Sequence, residues 1–175
     1  TLQRLCDKPL TSSIYRNLPL LDIIWDMETQ DPDDFLTLLL LAGHPDVNLK
    51  AVTITPGSPY QVGLVRWALA QFGLQDIPIG AGNLDHHAEC VSEWHWNAFG
   101  KIPPSRAADP AANVLLIHSD ERTILLTGAP PKNLGAALTR GAQIDQPLRL
   151  GRWFAQGGFA GEGVVPREKQ LPKFV

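Results

Sequence analysis

The chain has 175 residues, enough for one α/β domain with a buried core. Hydrophobic residues make up 44% and charged residues 19%, the balance of a folded, soluble protein rather than a disordered one. A net charge of −3 with scattered Lys and Arg gives no electrostatic basis for binding nucleic acid or an anionic membrane.

The apolar stretch Phe35 to Ala42 is far short of the roughly 20 residues that span a bilayer. No charged segment followed by an apolar one opens the sequence, so no signal peptide is read. Thr1 stands first, which leaves room for a missing or processed start. Cys6 and Cys90 match neither metal-knuckle nor redox spacing and suit a reducing, cytoplasmic compartment.

Residues 1–18 are mixed and polar and read as an extension before a domain at 19–175. Leu20 to Trp25 is apolar apart from Asp22 and is expected as a buried strand. Asp31-Pro32 reads as an N-cap followed by proline at the first helical position, with Phe35 to Ala42 as a helix apolar on nearly every side. Gly43-His44-Pro45 stops it. Leu49 to Thr55 is a second strand, Pro56-Gly57-Ser58-Pro59 a loop, Val62 to Phe72 a helix, and Ile77 to Ala81 a third strand. Residues 82–110 break the rhythm as a long polar and aromatic loop with His86, His87, Trp94, His95 and Trp96. It resumes with helices at Ala111 to Ile117 and Asn133 to Leu138, and strands at Thr123 to Thr127 and Trp153 to Gln156. This order implies right-handed βαβ units in an open, Rossmann-like, largely parallel sheet with helices on both faces.

The segment from Asp26 to Asp34 carries five carboxylates in nine residues, between a strand's carboxyl end and a helix's first turn. Ligands bind at that edge of parallel sheets. Helix capping, worth about 0.5–2 kcal/mol per residue, accounts for Asp31 and one of Asp33 and Asp34. It does not account for Asp26 and Glu28. Clustered carboxylates repel unless protons or a cation offset them. A hard divalent ion with oxygen ligands, calcium above all, suits such a site.

The segment resembles the signature of the inosine–uridine-preferring nucleoside hydrolases, a strand followed by D-x-D-P-G-x-D-D and an apolar helix. Ala51-Val52-Thr53-Ile54-Thr55-Pro56-Gly57 and Ile77-Pro78-Ile79-Gly80-Ala81-Gly82 resemble the family's second and third strands. Ile124-Leu125-Leu126-Thr127-Gly128 through Asn133-Leu134 resembles its T-G-x-L-T-N segment, and Gln156-Gly157-Gly158-Phe159 its M-G-G-A turn. The resemblance covers roughly residues 19–165 in the correct order.

It implies hydrolysis of the N-glycosidic bond of a ribonucleoside or related N-riboside by a calcium-activated water, in purine or pyrimidine salvage. The partner would be a small nucleoside-like substrate, with homo-oligomerisation left open. By position, Asp34 would ligate calcium and Thr127 would add its backbone carbonyl. Glu28 would be both ligand and general base, Asp33 would hold a ribose hydroxyl beside the metal, and Asp26 would ligate or support the site. Ser58 falls where the family has a sugar-contacting asparagine. Trp94, His95 and Trp96 would serve as a lid or base-stacking group.

Several positions depart from the pattern. Asp26 and Asp33 are one residue further apart than in the signature, Glu28 replaces Asp, and Gln30-Asp31 occupy the place of the tight-turn glycine. The general base therefore stays open among Glu28, Asp26 and Asp33. Glu162 stands where another sugar-binding asparagine is expected, and Glu168 lies in no E-F-N segment. Family members run to about twice this length, so the sequence reads as an N-terminal portion. The expected remainder would hold the last metal-binding aspartate and the histidine assigned as leaving-group acid. Two rivals share these features. One is a haloacid dehalogenase-like phosphohydrolase with Asp26 as nucleophile, Glu28 as acid/base and Thr127 on the phosphate. The other is a non-catalytic binding domain that keeps the fold.

Overall fold

The computed structural model describes residues 19–157 and 166–169. The extension at 1–18, the Gly158-Phe159 part of the proposed turn, and Glu162 lie outside the described residues. Six strands form one sheet: β1 Leu21–Met27, β2 Val47–Ile54, β3 Ile79–Ala81, β4 Asp109–Pro110, β5 Ile124–Thr127 and β6 Arg152–Ala155. Their order is β4-β3-β2-β1-β5-β6, and every pairing is parallel. The chain winds outward from β1 to β4 and then crosses back to β5 on the other side of β1. That reversal creates a switch point between β1 and β5, where a crevice opens at the strands' carboxyl ends.

Burial on both faces explains why β1 reads as a near-continuous apolar run. Ile23, Trp25 and Met27 join a core with helices α1 (Asp33–Gly43) and α2 (Pro59–Gln71). Ile24 points the other way, onto Val114 and Leu115 of α4 (Ala111–His118) and Leu134 and Ala137 of α5 (Lys132–Gln143). Asp26 shares the parity of Ile24 and so faces the α5 side. A bulge interrupts the β1–β2 ladder. Ile23 pairs with Leu49 and Ile24 with Ala51, leaving Lys50 as the extra residue.

Three expectations are corrected. Asp31 does not cap α1: the cap position is Pro32, and no side chain caps the helix. The Asp34 carboxylate instead accepts the Glu28 N–H at 3.0 Å, and Glu28 turns back on the Asp31 N–H, so these acids serve the loop. Helix α2 starts at Pro59 rather than Val62, because Ser58 and Gln61 form a capping box with proline at the first position. Residues 82–110 are not a single loop. They hold a helix, α3 (Glu93–Phe99), and the short strand β4. Aromatic packing fixes α3, with Phe99 against Phe35 and Trp67, and His95 edge-on to Phe35.

Candidate active site

The sheet register places Asp26 of β1 between Thr53 of β2 and Thr127 of β5. Asp26 is fully buried, and its Oδ1 accepts the Thr53 hydroxyl at 2.6 Å and the Asn133 amide at 2.7 Å. The same Asn133 amide donates to Thr55 Oγ1 at 2.9 Å, tying α5 to the ends of β1 and β2. Asp26 Oδ2 is buried with no hydrogen-bond partner. Burial pushes the Asp26 carboxyl up to about 6 against the pull of Thr53 and Asn133, and the nearby Asp34 charge adds to the rise.

Asp34 sits at the first turn of α1, where the Trp25 indole donates to its carbonyl at 3.2 Å. Its carboxylate lies against Gly128, at the end of β5, so closely that a Cβ there would overlap it. A glycine is needed at 128 for that approach. Burial also raises the Asp34 carboxyl to about 6; the Glu28 N–H opposes this, and the charges of Asp33, Glu28 and Asp31 reinforce it.

Above these groups lies an open cavity of about 640 Å³, within the size range of small-molecule sites. Glu28, Asp33 and Asp34 line it from the β1–α1 segment, and Thr55 and Pro56 from the end of β2. The segment after β3 contributes His86, Ala88 and Cys90. Gly128, Lys132 and Gln156 complete the walls, and the Gln156 amide donates to exposed Asp33 at 3.4 Å.

The structure therefore brings Asp26, Glu28, Asp33, Asp34 and Thr127 to one edge. Thr127 is buried; its carbonyl accepts the Gln156 N–H at 2.7 Å and its hydroxyl accepts the Trp153 indole at 3.1 Å. Glu28 folds back, its Oε2 accepting the Gln30 N–H at 2.5 Å. Ser58 is buried at the α2 cap, with its hydroxyl donating to the Glu89 carbonyl at 2.7 Å, and it does not line the cavity. Nor do Trp94, His95 or Trp96. His95 is fully buried, Nδ1 is 2.8 Å from Ser92 Oγ, and burial holds the imidazole below its ordinary range. Sequence reasoning missed His86, Cys90, Lys132 and Gln156 as cavity residues, and Thr53 and Asn133 as the partners of Asp26.

The donors present fit a hard cation in kind: oxygen groups, one of them a buried carboxylate oxygen with no partner. They do not amount to a closed cage, since no three His, Cys, Asp or Glu side chains form a metal-holding group among the described residues. No described helix is long and apolar enough to cross a membrane.

No protein-family model matches the chain. An uncharacterized protein of Aquifex aeolicus (strain VF5) is 24% identical over 148 residues, covering 83% of this chain and 49% of its own. Among solved structures, a plant nucleoside hydrolase aligns with a TM-score of 0.63 at 18% identity, over 80% of this chain and 48% of that one. The inosine-uridine preferring nucleoside hydrolase of Bacillus anthracis aligns with a TM-score of 0.56 at 24% identity, over 83% and 54%. A purine-preferring ribonucleoside hydrolase of Gardnerella vaginalis gives 0.54 at 17% identity, over 85% and 53%. The fold is that of the nucleoside hydrolases. The chain spans about half the length of the proteins it matches.

Proposed function

We propose that the protein is a divergent nucleoside hydrolase whose substrate is a ribonucleoside or a closely related N-riboside. The observation that carries this reading is Asp26. A carboxylate buried at the sheet's switch point, held by two donors on one oxygen and by none on the other, costs stability unless a ligand completes it. Beside it, Asp34 is seated on Gly128 under the cavity of about 640 Å³.

Calcium is the cation this oxygen-rich edge suits, with Asp26, Asp34 and the Thr127 carbonyl as its protein donors and Glu28 joining by a turn of its side chain. When bound, such an ion would lower the pKa of its water and hold it. Thr53 and Asn133 keep Asp26 aimed by binding its other oxygen. Asp33, exposed on the cavity wall, is placed to take a ribose hydroxyl. Glu28 is the carboxylate we assign to remove the proton of the attacking water, since its own bonds are only to local N–H groups. Attack at the anomeric carbon would pass through an oxocarbenium-like transition state, which a wall of carboxylates favours electrostatically.

The test is ribose release from purine and pyrimidine ribonucleosides by the full-length protein with calcium present. Turnover of at least one nucleoside, lost in Asp34→Asn, is expected. Absence of ribose release from every nucleoside while calorimetry registers bound calcium would overturn the reading, as would turnover of phosphate esters with magnesium.

A further inference from the structure

We propose that Gln61 and Thr29 are positioning residues, a buried hub that fixes three walls of the cavity relative to one another; their part in turnover rests on the N-glycosidic reading above. Neither side chain lines the cavity. Both residues are fully buried.

Gln61 uses its whole hydrogen-bonding capacity. Its Oε1 accepts the Gly57 N–H at 2.9 Å and the Ser58 N–H at 3.0 Å. Its Nε2 donates to the Thr29 hydroxyl at 3.1 Å and to the Thr55 carbonyl at 3.3 Å. A primary amide has two acceptor sites and two N–H donors, so nothing is left over. The amide also has one orientation: turned over, it would set its NH2 against two N–H groups and its oxygen against a carbonyl. That orientation fixes the sense of the Thr29 hydroxyl. It accepts from Gln61 and gives its single hydrogen to the Cys90 carbonyl at 2.7 Å.

These bonds join three loops. Thr29 immediately follows Glu28 in the β1–α1 wall, and its carbonyl accepts the Ser92 N–H at 2.9 Å. Thr55 begins the wall that follows β2. Cys90 belongs to the wall that follows β3, which Ser58 also holds through the Glu89 carbonyl at 2.7 Å. The φ of 54° at Cys90 lies in the left-handed region that non-glycine residues rarely adopt. The bonds to the Glu89 and Cys90 carbonyls therefore hold a turn that the chain would not keep unaided.

A buried amide of this kind adds little net stability, because each of its bonds replaces one to water. What a fully satisfied buried network supplies is a single arrangement. Attack at the anomeric carbon needs the water, the acid that takes its proton and the sugar held in one geometry. A displacement of about 1 Å costs on the order of 10²-fold in rate. The hub ties the backbone that carries Glu28 to the wall across the cavity, and so sets that geometry from behind.

The experiment measures, in the full-length protein, turnover of the best substrate among purine and pyrimidine ribonucleosides, with kcat expressed per folded molecule. Beside it, the rate at which iodoacetamide alkylates Cys90, half-buried on the cavity wall, is read by peptide mass. Thr29→Val keeps the side chain's shape and removes the hydroxyl. It is expected to lower kcat by about 10²-fold, with KM changed far less, and to speed Cys90 alkylation. Thr29→Ser, which keeps the hydroxyl, restores both. Gln61→Met gives the same loss of kcat, and the double variant loses no more than either alone, because both cut one link. Should Gln61→Met fail to fold, the two Thr29 variants decide alone. Thr139→Val removes a hydroxyl bonded to the Gly135 carbonyl at 3.0 Å on the exposed side of α5, and leaves kcat and alkylation unchanged. Wild-type kcat in folded Thr29→Val, equal loss in Thr29→Ser, or additive losses in the double variant would overturn the hub. A residue serving stability alone would lower the unfolding midpoint and leave kcat per folded molecule intact. Unchanged Cys90 alkylation in Thr29→Val of an active enzyme overturns the hub and leaves the hydrolase reading standing. Wild-type protein that cleaves no ribonucleoside overturns the hydrolase reading and the part in turnover together.

Discussion

At the amino end of the sheet, Lys50 donates to Asp120 at 2.8 Å and to the Thr123 hydroxyl at 3.2 Å. The Asp120 carboxyl is held well below the usual carboxylate range, by Lys50 first and then by the Arg122 N–H. At the carboxyl end, Asp26 and Asp34 are pushed up to about 6 by burial, and their neighbours are further acids. One end of the sheet matches an acid with a cation; the other gathers acids and leaves a buried oxygen without a partner. Proteins accept uncompensated buried charge at sites that bind or react, and match it elsewhere. The contrast marks the carboxyl edge as the candidate site without recourse to any resemblance.

The largest effect expected from breaking this contrast is at Asp26. Asp26→Asn should abolish ribose release, by more than about 10³-fold on the usual scale for catalytic groups, and yet stabilise the metal-free protein at pH 7. The sign follows from linkage. A carboxyl whose folded pKa is raised binds more protons folded than unfolded, so stability falls as pH rises through roughly 4 to 6 and stays low above it. For Asp26 that loss is on the order of 3 kcal/mol. Urea midpoints at pH 4.5 and pH 7 capture about two thirds of it, and an equal pH slope in wild type and variant would refute it.

Second, Asn133→Ala removes a donor from both Asp26 and Thr55 and should cost about 1–3 kcal/mol of stability in addition to activity. Third, Gly128→Ala must displace the Asp34 carboxylate, so a 10–100-fold loss of calcium affinity with little change in the unfolding midpoint is expected by calorimetry and denaturation. The smallest effect belongs to the other end. Lys50→Met should lower thermal stability slightly, less so at high salt, without changing turnover. For Asp120 the depressed carboxyl contributes stability above its ordinary pKa, and that contribution fades as pH falls below about 4.

The parts legible in the sequence were those written locally. Strands β1, β2 and β5 are dense in branched apolar residues. The acidic segment sits where the strand-to-helix transition can be read, and the parallel order follows from alternation. The partners of Asp26 were not legible, because Asn133 lies 107 residues away and meets it only through the sheet's reversal. Likewise α3 is held by rings from α1 and α2, contacts that no local window contains. Asp31 misled because it has a capping residue's chemistry, while the local N–H groups are taken up by Glu28 and Asp34. Ser58-Pro59-Tyr60-Gln61, by contrast, was a readable helix start that the proline-rich run obscured.

The bulge at Lys50 has one more consequence. It acts as a phase shifter: below it β2 is read in one alternation, above it in the other, and the ladder from Ile24 to Met27 proceeds as if the extra residue were absent. Deleting Lys50 would close the ladder and still leave Thr53 opposite Asp26, at the cost of the bonds to Asp120 and Thr123.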